Sequence, residues 1–230
     1  VNPVATFAAK VKTHTYTEVE KDDISTIVSS LNRRYKKTKD VPKYQKLTAI
    51  FTPSQLDQIL RIKGFWESIP AGSVQDFFRL AYISIIEDCS NRVKDGNGIK
   101  IAKNKKIIED VFTYYKNKCQ QMLDDLSDNC FLKEGETLVI QGSLLEDSVY
   151  KKISKIKIDS SIFSPPYANC FDYCEVYKME LWLGGFVREY SDFLKYRQLA
   201  VRSHVNSKFS HEFKNKNKKV EVTANLVATY

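Results

Sequence analysis

The stretch 73–89, SVQDFFRLAYISIIEDC, constrains the fold more than any other part of the chain. Val74, Phe77, Phe78, Ala81, Ile85 and Cys89 recur at the spacing of one helical face, and Leu80 and Ile83 widen that face well beyond a stripe. A helix apolar over most of its circumference has to be enclosed, so the pattern predicts a central helix buried on most sides. Three further segments carry helical periodicity. Residues 18–37 place Ile24, Ile27, Val28, Leu31 and Tyr35 on one face, with acids in the first turn and bases in the last, as the helix dipole favours. In FTPSQLDQILRIKGF, Thr52 reads as an N-cap, Pro53 as the first helical residue and Gly64 as the stop. Residues 105–126 form a long amphipathic pattern through Ile108, Val111, Phe112, Tyr115, Cys119, Met122 and Leu126. KDGNGIK, between the last two helices, has turn chemistry. Its Gly96 and Gly98 are too few and wrongly spaced for a phosphate-cradling loop, so a plain turn is expected.

After Gly135 the period changes. TLVIQGS (137–143) is a short apolar run ending at glycine, LLEDSVYKKI is helix-like, and KIDSSIFS (157–164) is apolar again before two prolines. Strand, helix, strand is the crossover of a parallel α/β sheet. Residues 171–204 read as one or two helices broken near Gly184 and Gly185. The tail is a basic loop (Lys214, Lys216, Lys218, Lys219) leading into an alternating run that suits another strand.

Composition narrows the class. The 230 residues are 43% hydrophobic, enough for a substantial core. Lys and Arg outnumber Asp and Glu by 36 to 28, a net charge of +8 that favours polyanionic partners, although a lysine-rich chain without a binding role would give the same figure. The five cysteines are scattered with no CxxC pair and there are only three histidines. That pattern suits a reduced, intracellular chain, and Cys170 and Cys174 suit buried small hydrophobes better than a zinc site, so no metal is expected. No apolar run reaches membrane-spanning length, and no signal-peptide pattern opens the chain.

The chemistry is concentrated in Ser164-Pro165-Pro166-Tyr167. In an open parallel sheet ligands bind beyond the carboxyl ends of strands, where Ser164 would sit. Two prolines stiffen the backbone and leave their carbonyls free, with a hydroxyl and a phenol ring held on either side. Such a corner suits a flat aromatic ligand carrying an amino group: the hydroxyl and a carbonyl accept from the amine while Tyr167 stacks on the ring. A strand end with a packed tyrosine would use the same four residues.

SPPYANCFDYCEVYKMELWLGGF resembles the catalytic motif and following helix of the amino-methylating DNA methyltransferases, whose signature is Ser, Asp or Asn followed by Pro-Pro-Tyr. The likeness extends to YRQLAVRSH and to DFFRLAYISIIEDCSNRVKDG, and covers residues 1 to about 204. It implies an α/β fold, a partial Rossmann-like methyltransferase sheet with a large, mostly helical insertion. Residues 1–16 would begin the methyltransferase core, 17–134 form the helical insertion, and 135–230 complete the core with the catalytic loop. The implied reaction is methyl transfer from S-adenosylmethionine to the exocyclic amine of a base flipped from DNA, with the serine form favouring cytosine N4. Ser164, Pro165, Pro166 and Tyr167 would be catalytic; Phe171, Asp172 and Tyr173 would contact the substrate base. An N-cap role for Asp172 between core aromatics stays open. Arg197, Arg202, His204 and the tail lysines are open between phosphate contact and plain solvation. The opening NPVATFAAKVKT resembles the segment following the second cofactor strand, which makes Asn2 and Pro3 cofactor-binding residues along with Ser143.

Two departures accompany the likeness. The family's glycine-rich cofactor motif and its ribose-binding acid would fall ahead of Val1, so a second subunit or chain segment would have to carry them. Gly142-Ser143 also stands where the family often has Gly-Asp. A cytoplasmic bacterial enzyme of a restriction-modification or defence system is the leading expectation. A non-catalytic DNA-binding subunit of such a complex and an RNA base methyltransferase are the alternatives.

Overall fold

The computed structural model describes residues 2–44, 46–95, 98–127, 137–142, 147–154, 156–162 and 172–199. Among the described residues ten helices and one hairpin follow in order: α1 (Pro3–Thr13), α2 (Glu18–Ser30), α3 (Leu47–Ile50), α4 (Pro53–Ser68), α5 (Ser73–Cys89), β1 (Arg92–Lys94), β2 (Ile99–Ile101), α6 (Val111–Ser127), α7 (Asp147–Ile153), α8 (Tyr173–Val176), α9 (Lys178–Leu183) and α10 (Tyr190–Leu199). The chain is therefore mixed α/β and mostly helical, with a small two-stranded antiparallel sheet.

α5 is the hub, as its all-round apolar surface requires. Phe77, Phe78, Leu80, Ala81, Tyr82, Ile83, Ile85, Ile86 and Cys89 are all buried, and α1, α2, α4, α6, α9 and β1 pack around it. Phe65 meets Phe78 edge-on at 5.4 Å between ring centres, an arrangement aromatic quadrupoles favour. One hydrophobic cluster draws on α1, on the helices between residues 18 and 127, and on α8 to α10.

Local signals set the starts of two of the longer helices. Thr17 and Glu20 form a capping box at α2, and Thr52 and Gln55 form one at α4, each worth about 1 kcal/mol. Glu20 also reaches beyond its box: Oε1 accepts from the Ser73 hydroxyl at the start of α5 and lies 3.1 Å from His14 Nε2. The Ser73 hydroxyl, followed by the Thr17 backbone N–H, holds the Glu20 carboxyl down at about 2. A carboxyl depressed in the folded state contributes stability that is present above about 4.5 and lost as pH falls toward about 2. Urea denaturation between pH 2 and 7 should show Glu20→Gln flattening that acid slope; an unchanged slope would remove Glu20 from the acid response.

Three expectations are corrected. Gly64 lies inside α4, which runs on to Ser68. Its missing side chain serves a close approach instead, since a Cβ there would stand 2.2 Å from the Lys36 carbonyl oxygen and 2.8 Å from Thr38 N. The helix expected over 18–37 stops at Ser30 for the same reason: residues 35–38 lie on α4, where Arg61 donates to the Tyr35 carbonyl and Thr38 N–H to that of Leu60. Finally, no strand forms among the described residues of 137–143 and 157–164, and Leu138, Ile158 and Ile162 are exposed. An apolar run becomes a strand only where a neighbour completes its ladder, and neither run has one among the described residues. Among the described residues a Rossmann-like sheet is accordingly not seen.

Candidate functional site

The Ser164-Pro165-Pro166-Tyr167 motif, Phe171 and Ser143 lie outside the described residues, as do Arg202, His204 and the tail lysines. Asp172, Tyr173, Asn2 and Pro3 lie inside them.

The chain that follows the motif is built into the core from its first described residue. Asp172 is the N-cap of α8: Oδ1 accepts from Cys174 N at 3.0 Å and from Glu175 N at 3.3 Å. Its other oxygen is 2.7 Å from Arg197 Nη2 on α10, and Arg197 Nη1 is 3.7 Å from Glu175. Asp172 thus closes a helix terminus and ties α10 back to α8, the capping role that the sequence left open. Arg197, for which a phosphate contact was open, has its guanidinium engaged by these two acids. Tyr173, next in the chain, is 48% exposed. The Cys174 thiol is pushed up to about 11 by burial and then by the Asp172 charge, which keeps it from acting as a thiolate near neutral pH.

α9 supports this platform. Met179, Leu181, Trp182 and Leu183 are buried, and Trp182 stacks on Tyr44 with ring centres 5.7 Å apart. Glu180 is buried in the same helix at 4% exposure and pairs with Lys94 of β1, whose Nζ also lies 3.3 Å from Glu87 and 4.6 Å from the centre of the Tyr177 ring. Burial raises the Glu180 carboxyl above its ordinary value, with Lys94 opposing that rise. Burial also acts against the Lys94 ammonium, but Glu180 and Glu87 together outweigh it and move its pKa upward.

The Gly184-Gly185 turn after α9 meets the N-terminal helix. Gly185 has φ +76°, the left-handed region in which glycine is unstrained, and a Cβ on Gly184 would stand 2.5 Å from the Glu180 carbonyl oxygen. Arg79 on α5 donates from Nε and Nη2 to the Gly184 carbonyl at 3.0 and 2.7 Å. Its guanidinium lies 4.7 Å from the Phe7 ring centre and 4.3 Å from that of Phe186, and among the described residues no carboxylate pairs with it. Burial accordingly lowers its pKa. Two segments far apart in sequence, α1 and α9, are packed side by side here.

At the start of α1, Asn2 Oδ1 accepts from Val4 N at 3.0 Å and Pro3 occupies the first helical position. Asn2 Nδ2 is buried with no hydrogen-bond partner among the described residues. A buried amide donor of this kind fits one hydroxyl of a cofactor ribose.

A concavity of about 160 Å³ lies between residues 40–43, Lys63 and the turn after α9. Lys63 is 1% exposed, pairs with Glu67 and has Asp40 at 3.9 Å, so its charge is already matched.

Sequence reasoning missed Lys94, Glu180 and Arg79. Their partners are 86 and 105 residues away, and no local spacing announces such pairs. The chain matches no protein-family model, no curated protein and no solved structure at a significant level. Among the described residues no helix is long and apolar enough to cross a membrane.

Proposed function

We propose that this chain is the catalytic portion of an S-adenosylmethionine-dependent DNA methyltransferase acting on the exocyclic amine of a flipped base, with cytosine N4 as the preferred target. The observation that carries the reading is the Ser164-Pro165-Pro166-Tyr167 motif standing directly ahead of the Asp172-capped helix and ELWLGGF.

An exocyclic amine is a poor nucleophile because its lone pair is delocalised into the ring. Ser164 Oγ and the Pro165 carbonyl accept its N–H bonds and turn the lone pair out of conjugation, favouring the transition state over the bound ground state. Tyr167 holds the base by stacking, and Pro166 keeps the turn stiff. The bound cofactor supplies an electrophilic methyl group. On the protein side Asn2 Nδ2 is the donor available toward its ribose, and Pro3 sets the start of α1 beside it. The glycine-rich half of the cofactor site is assigned to a partner subunit or to a further segment of the protein. The exposed ring of Tyr173 and the net charge of +8 agree with a DNA substrate.

Mass spectrometry of nucleosides from cellular DNA tests the proposal. Expression of the protein should add N4-methylcytosine; N6-methyladenine in its place would change the base and keep the chemistry. DNA with neither product, both in cells and in a reaction supplied with S-adenosylmethionine, would end the proposal.

A further inference from the structure

The segment 92–106 holds six basic residues and one acid, so it supplies five of the chain's eight net positive charges. Its hairpin sorts these charges by face. In the antiparallel register Arg92 pairs with Ile101, Val93 with Lys100 and Lys94 with Ile99. Side chains alternate across a strand, so Arg92, Lys94, Ile99 and Ile101 share one face while Val93 and Lys100 share the other. Inward charges have structural work. Arg92 donates to the Ala49 carbonyl, Lys94 pairs with Glu180 and Glu87, and Lys105 donates to the Glu87 and Arg92 carbonyls.

The outward charges have much less to hold them. Lys100, 67% exposed, has Asp95 at 2.5 Å, whereas Lys103 and Lys106 are exposed and make no ion pair among the described residues. The hairpin is also fixed in place. Through Lys94 it is fastened to α9 and the Tyr177 ring, and α8 next to them opens at Asp172, five residues after Tyr167.

We infer that the β1–β2 ribbon and the loop behind it form a DNA-backbone clamp beside α8 and α9, with Lys100, Lys103 and Lys106 contacting phosphates of the duplex from which the base is extruded. The assignment rests on the methyltransferase reading for the nature of its ligand. A two-stranded ribbon fits the width of a major groove, and each phosphate neutralised by lysine releases counterions and steepens the salt dependence of binding. Lysine, a point charge on a flexible stem, suits backbone contact and carries no base preference.

The test compares wild-type protein, the triple variant Lys100→Gln/Lys103→Gln/Lys106→Gln, and a control of equal charge loss, Lys10→Gln/Lys12→Gln/Lys21→Gln on α1 and α2. Binding to a fluorescein-labelled duplex of about 30 base pairs is followed by anisotropy across a KCl series, with methyl transfer to the same duplex measured in parallel. The ribbon triple should weaken binding at least about tenfold at low salt and lower the slope of log K against log salt by about 2 to 3, as expected for three lost phosphate contacts, while the control changes neither. Equal losses in both triples, an unchanged slope in the ribbon triple, or a loss confined to an RNA duplex of the same sequence would overturn the clamp. If wild-type methylates DNA in any of those outcomes, the methyltransferase reading stands without it. Binding that depends on the three lysines with no methyl transfer would keep the clamp and sink that reading. Wild-type protein that neither binds nor methylates the duplex would sink both.

Discussion

Ser164→Ala should lower methyl transfer to duplex DNA by about 10²-fold or more, and Tyr167→Ala by about 10- to 100-fold, with little change in thermal stability of the protein. The first figure is typical of removing one hydrogen-bonding group that acts on developing charge. The second follows from a stacking contact worth about 1–3 kcal/mol per base. The two variants should also separate kinetically. Loss of the hydroxyl affects a contact strengthened in the transition state and falls on kcat, whereas loss of the ring weakens capture of the extruded base and falls partly on KM. Single-turnover kinetics with a labelled methyl donor would read both. Normal turnover in the two variants would detach the Ser-Pro-Pro-Tyr corner from the chemistry.

Lys94→Ala has the largest expected effect on stability, about 3 kcal/mol or more near neutral pH. The loss comes from what remains: Glu180, 4% exposed, would keep a carboxylate in the core without its ammonium. The effect depends on pH, with a sign fixed by the direction of the Glu180 shift. Its folded pKa is raised, and without Lys94 it would rise further, so the folded state would bind a proton more tightly than the unfolded chain. Stability of the variant would then be greatest below about 4.5, the ordinary carboxyl value, and would fall as pH climbs from there toward the raised folded pKa. Adding Glu180→Gln to Lys94→Ala removes the stranded charge and should recover part of the loss at pH 7. Denaturant titrations of the single and double variants at pH 5 and pH 8 would show it. Equal destabilisation at both pH values, or no recovery in the double variant, would mean that the pair is not coupled as its geometry implies.

Helices with a strong apolar period were legible in the sequence. The face through Phe77, Phe78, Ala81 and Ile85 became the buried hub, the Thr52-Pro53 start of α4 is a capping box, and the break at Gly184-Gly185 separates α9 from α10. Ends set by distant partners were not legible. Gly64 looks like a terminator because glycine usually is one, yet its value lies in letting residues 36–38 rest on a helix. Likewise α6 begins at Val111 and not near Lys105, because the carbonyls of Ile108 and Glu109 are taken by Gln55 and Gln58 of α4, and Asp110 Oδ1 accepts from Thr113 N. KDGNGIK was read as a turn without the two short strands that flank it, since three residues are too few for a period to show.

At the candidate site the sequence offers Ser164 to Tyr167, whose stiffness and functional groups suit a flat ligand with an amino group. The support around it was hidden. Asp172 could be read as substrate contact or cap, and only the position of Arg197 on α10 decides that both its oxygens are already engaged by protein. Asn2 carries the reverse lesson: one side of its amide caps α1, and the other offers a buried donor with no partner among the described residues.

The planar cation at Arg79 has a mechanical consequence. Seated over Phe7 and Phe186 and forked onto one carbonyl, it rivets the opening helix to the bend that trails the motif, so a tilt in either is transmitted to the other without passing through the intervening polypeptide. Lysine, with a single pivoting tip, would have no comparable grip.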